Sequence, residues 1–108
     1  MKLAGGGELE WKATMARGEP LLYRWKVRQG KQVYYEFHGE PVKGKWAKEY
    51  YESYETGEAA SGQGFVVAPF SGHHGWYFVN LTGDPIVIDV ELVGYYSGFG
   101  PVTAPAEG

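Results

Sequence analysis

Residues 8–16 alternate between apolar and polar side chains. Leu9, Trp11, Ala13 and Met15 share one parity, and Glu8, Glu10, Lys12 and Thr14 share the other. Side chains of a strand point to opposite faces in turn, so this pattern predicts a strand with one wet face. Residues 21–28 repeat it, with Leu21, Tyr23, Trp25 and Val27 inward and Arg24, Lys26 and Arg28 outward. Gln29-Gly30 has the chemistry of a tight hairpin turn. It predicts that this strand pairs with residues 32–38, whose inward side chains are Val33, Tyr35 and Phe37. Residues 39–48 are irregular. Residues 49–55 read as a Tyr-rich strand, 56–64 as a small, polar loop, and 64–70 as a strand apolar on both faces. A turn or loop over 71–75 leads to a strand over 76–80. Thr82-Gly83-Asp84-Pro85 is a further turn. The last strand covers 86–93, with Ile86, Ile88, Val90 and Leu92 inward and Asp89 and Glu91 outward. Seven to eight short antiparallel strands at this spacing predict an all-β sandwich, jelly-roll-like in form. No segment sustains a 3.6-residue period, so no helix is expected.

Composition agrees with that picture. A chain of 108 residues with 44% hydrophobic side chains builds one core without metals or disulfides. Aromatic residues at 17% and 17 glycines suit half-buried strands joined by tight turns. The formal charge is −3 and the basic residues are scattered, so no nucleic-acid partner is expected. Cysteine is absent, which removes disulfide and thiol chemistry. No apolar run is long enough to span a membrane as a helix. Residues 1–7 read as a tag or linker, 8–97 as the sandwich domain, and the Pro/Ala-rich residues 98–108 as a flexible tail.

The second half reads GFVVAPFSGHHGWYFVNLTGDPIVIDVELVGYY. The first half carries Leu22-Tyr23-Arg24-Trp25 and Tyr35-Glu36-Phe37-His38-Gly39-Glu40-Pro41. Over residues 9–96 this resembles a family of bacterial transmembrane-anchor proteins whose soluble part is similar to the GOLD (Golgi dynamics) β-sandwich. The resemblance implies a binding or scaffolding module that recognises a protein partner or a glycan. It also implies a periplasmic or extracytoplasmic location and a membrane anchor upstream of this sequence. It carries over no catalytic residue.

The residues least explained by turn or core duty are His38, Glu40, Trp46, His73 and His74. They are the expected binding residues, brought together at one end of the sandwich by the strand end at 38–41, the loop at 42–48 and the corner at 71–76. His38 and Glu40 share a face if extended. With His74 they offer three ligands to a divalent metal and leave a fourth position open for water or substrate, so the second reading of the chain is a small metal-binding or metal-dependent enzymatic domain. The alternative is that the imidazoles brace loops through backbone carbonyls, since the spacing matches no established metal signature. Trp46, Tyr50, Tyr51 and Tyr54 suit either an aromatic contact surface or a cap on the sandwich. Trp11, Trp25 and Trp76 fall on inward positions. No nucleophile stands beside a base in a recognisable context, and Ser71-Gly72-His73 is not a nucleophile elbow, so no enzymatic activity is expected. Asn80-Leu81-Thr82 is a sequon by spelling and a turn by composition.

Overall fold

A computed structural model describes residues 1–41 and 52–101. Among them are nine strands: β1 (Lys2–Leu3), β2 (Glu8–Met15), β3 (Pro20–Val27), β4 (Val33–Pro41), β5 (Glu52–Ala59), β6 (Ser61–Val67), β7 (Gly72–Asn80), β8 (Ile86–Gly94) and β9 (Ser97–Pro101). They form two antiparallel sheets, ordered β1-β8-β3-β6 and β5-β4-β7-β2-β9. Strand pairs β4·β5, β3·β6, β2·β7 and β1·β8 nest inside one another along the chain. A long hairpin closed at β4–β5 and rolled up on itself gives this order, which is that of a jelly roll. The expected all-β antiparallel sandwich is what the chain forms, and β9 extends one sheet beyond β2.

The inner face follows the alternation. Trp25, Phe37, Trp76, Phe78 and Ile88 are buried together, and Val90 packs at the margin of the core. Phe37 stacks on Trp76 with ring centroids 4.5 Å apart, and Trp25 meets Phe78 edge-on at 5.0 Å. Trp11, placed inward by parity, is half-buried and packs against Phe99 at 5.1 Å.

The pairing of β3 with β4 does not occur. β3 joins β6 and β8 in one sheet, and β4 joins β5 and β7 in the other. The Gln29-Gly30 turn carries the chain across the sandwich, with Gly30 at φ 72°. The two inner faces then meet through the core. Tyr23 lies 4.8 Å from Phe37, and Trp25 lies 5.2 Å from Tyr35. Alternation fixes which side a residue faces, and two strands with apolar inner faces satisfy it equally well side by side or face to face.

Four further expectations are corrected. Most of residues 56–64 is strand rather than loop, because glycines there leave room for rings on the neighbouring strand. A Cβ on Gly62 would stand 2.5 Å from Trp25 Nε1, and one on Gly64 2.7 Å from Tyr23 Oη. Aromatic rings packed over facing glycines are a recurrent device of sheets. Lys2–Leu3, expected in a linker, pairs with Ile86 and Val87, and Leu3 is buried. Ser97–Pro101, expected largely in a flexible tail, forms β9 because Phe99 covers Trp11. Finally, β6 is not apolar on two buried faces, since Phe65 and Val67 lie in solvent.

Asn80 is the cap of the β7–β8 turn. Its Nδ2 donates to the carbonyls of Ala4 at 2.9 Å and Asp84 at 2.7 Å, and its Oδ1 accepts from Thr82 N–H at 2.9 Å. The side chain is buried by these bonds, so the sequon spelling is a turn.

Candidate functional site

β4, β7 and β2 run side by side, and their register places the expected site residues. Glu40, His73 and Thr14 lie in one row, and His38, Gly75 and Lys12 in the next. All of these point to the outer face of the five-stranded sheet. Gly75 has no side chain, so none stands between Lys12 and His38. Lys12 Nζ contacts Glu40 Oε1 at 2.5 Å and Glu10 Oε2 at 3.0 Å. His38 Nε2 donates to the same Glu10 oxygen at 2.9 Å. Thr14 Oγ1 and His73 Nδ1 share a hydrogen bond of 3.1 Å. The result is a charge-paired cluster in which Lys12, outward by parity, is only 8% exposed. The hydrogen bond from His38 and the Lys12 ammonium hold the Glu10 carboxyl down at about 2.

His74 does not belong to that cluster. It lies on β7 between His73 and Gly75, so its ring points to the inner face. Its Nε2 donates to the Phe70 carbonyl at 3.0 Å, and its Nδ1 accepts from the Tyr54 hydroxyl at 2.7 Å. Gly39 stands opposite it, and a Cβ there would overlap both the imidazole and the Tyr54 hydroxyl. Burial pushes the His74 pKa below its ordinary 6.5, so the ring is a neutral, doubly bonded core residue. The metal set His38, Glu40 and His74 is therefore divided between the two faces of one sheet. Among the described residues no group of three or more His, Cys, Asp or Glu is placed to hold a metal ion. The expected turn over 71–75 is mostly strand, since β7 begins at Gly72, and it lies beside the end of β4 with Pro41 opposite Gly72. Trp46 and the rest of the 42–48 loop lie outside the described residues, as do Tyr50 and Tyr51.

The opposite outer face carries a feature the alternation reading passed over. In the four-stranded sheet, Leu22 pairs with Phe65 on one side and Val93 on the other. These three form an apolar row in solvent, 55%, 61% and 67% exposed, and Val67 extends it along β6 at 48%. The next row is polar: Gln63, Arg24 and Glu91, with Arg24 Nε donating to Glu91 Oε1 at 2.8 Å. A shallow groove runs over the two rows, lined in part by Leu22, Arg24, Phe65, Glu91 and Val93. The signal was present in the sequence, because Leu22 shares the parity of Arg24 and Lys26, and Val93 that of Asp89 and Glu91.

No protein-family model matches this sequence, and a search of curated proteins finds no match.

Proposed function

We propose that the domain is a non-catalytic protein-binding module whose contact surface is the outer face of the four-stranded sheet. The observation that carries this is the exposed row Phe65–Leu22–Val93 with Val67 beside it. An antiparallel sheet with one face on the core ordinarily keeps polar side chains on the other. A contiguous apolar patch on a small domain marks an interaction surface, and its polar border fits the apolar-centre, polar-rim anatomy of protein interfaces. The resemblance to GOLD-type domains supports the same class of function. On that resemblance the module works at the extracytoplasmic side of a bacterial membrane as part of an anchored protein.

The non-catalytic half of the proposal rests on the histidines. His74 has both nitrogens engaged within the core. Thr14 and His73 pair a hydroxyl with an imidazole, and Thr14 also lines an open pocket with Ser71 and Ser97, but β2 is paired with a strand on both sides there. Apart from the irregularity of the β2–β9 pairing between Ala13 and Thr14, the backbone N–H groups there serve the ladders, and catalysis of acyl transfer needs free donors for the oxyanion.

A photo-crosslinking amino acid placed at Phe65 or Val93, with exposed Glu58 on β5 as the control position, tests the surface in cells. Discrete adducts from positions 65 and 93, and none from 58, are expected. Absence of discrete adducts from 65 and 93 overturns the proposal.

A further inference from the structure

The pattern on this face is complementary to itself. Three outward residues of β3 stand beside outward residues of β8 that would suit them as partners. Leu22 is beside Val93, Arg24 beside Glu91, and Lys26 beside Asp89. The pairs run in order along the strands from apolar to charged. A two-fold axis parallel to the strands and midway between β3 and β8 keeps every row at its own height and exchanges the two strands. A second copy placed by that axis sets Leu22 over Val93, Arg24 over Glu91 and Lys26 over Asp89, twice each. The β6 strand then lies over the outer flank of β8 in the copy. β1 reaches β8 only at Ile86 and Val87, so among the described residues the flank beside Val93 carries no strand, and Phe65 falls there.

The geometry points to a second copy of this chain as the occupant of the face, in an isologous dimer packed sheet on sheet. The inference rests on reading that face as a contact surface and adds the identity of what covers it. Isologous pairing by a two-fold is the commonest form of oligomer and requires this kind of self-complementary patch. Sheets packed face to face hold their strands within about 30° of one another, which lets the rows stay matched. The charges Arg24 and Glu91 already pair within one protomer. In the dimer they form an alternating square of two cations and two carboxylates. Three strands of about eight residues make a face about 26 by 14 Å, small against a standard interface of about 800 Å² per partner. The dimer is accordingly a weak one.

Charge reversal tests the pairing. Arg24→Glu sets carboxylate against carboxylate across the axis, and Glu91→Arg sets cation against cation. Each variant alone is expected to raise the dimer Kd by at least about tenfold in sedimentation equilibrium, with an unchanged circular dichroism spectrum. In an equal mixture of the two, the introduced carboxylate at position 24 of one chain meets the introduced guanidinium at position 91 of the other. The second contact across the axis is the native Arg24 over Glu91, so the mixture is expected to recover a dimer. A partner of different sequence could not produce this rescue. The inference is overturned if the wild-type chain stays monomeric to about 1 mM, or if the mixture stays as monomeric as its components. Crosslinked adducts from positions 65 and 93 keep the two ideas apart. Adducts of twice the chain mass support the dimer. Adducts of another mass with a monomeric wild type sink the dimer and leave the contact face standing. No adducts sink both.

Discussion

His74 and Glu10 tie the stability of this domain to pH. His74 is held neutral by burial, and its folded pKa lies below the ordinary 6.5. The unfolded chain therefore takes up a proton that the folded chain refuses. Stability from this residue is complete above about pH 6.5 and is lost as the pH falls toward the depressed folded value. Glu10 acts lower. Its carboxyl moves from 4.5 to about 2, so its contribution is present above 4.5 and is lost between there and about 2. Urea midpoints measured between pH 7.5 and 5.5 should decline in the wild type and stay flatter in His74→Gln. A decline of equal slope in both would show that His74 is not the group responsible. The extra loss below pH 4.5 should be absent in Glu10→Gln. Gly39 is the third residue of consequence. Its missing side chain is the space that Tyr54 and His74 use. Gly39→Ala should destabilise by about 1–3 kcal/mol through overpacking. A variant as stable as wild type would mean that the Tyr54–His74 pair yields at no cost.

Two short elements outside the expected domain contribute to it. β1 buries Leu3 against the core, and β9 lays Phe99 over Trp11. Leu3→Ala should cost about 2–4 kcal/mol, as for other buried leucines; a linker residue would cost almost nothing. Phe99→Ala should shift Trp11 emission to the red as the indole meets water. Neither element was legible in the sequence. Met1-Lys2-Leu3 is too short to show a period, and Ser97-Gly98-Phe99-Gly100-Pro101 carries turn residues throughout. Their strand state comes from the neighbours they pair with, β8 and β2. The stretch from 56 to 64 misled in the same way. Its glycines and small polar residues have loop propensities, and the rings of Tyr23 and Trp25 override them by filling the space the glycines leave.

At the scale of the whole molecule the two sheets enclose one aromatic core. Trp25 and Trp76 are fully buried at its centre. Truncating either to Ala should cost about 3–5 kcal/mol in chemical denaturation. A loss below about 1 kcal/mol would mean that the inner face has been misassigned. By contrast, Phe65→Glu removes a ring that touches mostly water, so its stability should stay within about 0.5 kcal/mol of wild type. The two outer faces differ in kind. One carries a charge-paired cluster around Lys12, and the other an exposed apolar row bordered by Arg24 and Glu91.

The sequence by itself determined the strand class, most inward side chains and the positions of the turns at Gln29-Gly30 and at 82–85. These depend on the pleat, and its two-residue period is written in any eight consecutive positions. It did not determine that β3 and β4 face each other across the core rather than pair, because both arrangements bury the same parity. Nor did it determine which outward residues stay wet. Lys12 is outward and buried because Glu10 and Glu40 converge on it beside Gly75, whereas Leu22 is outward and exposed because its row has no neighbour above it among the described residues. The same distinction separated His74 from His38 and Glu40. Parity sends adjacent residues to opposite faces, but which strands lie alongside, and what each face then meets, is decided by contacts between segments far apart in the chain.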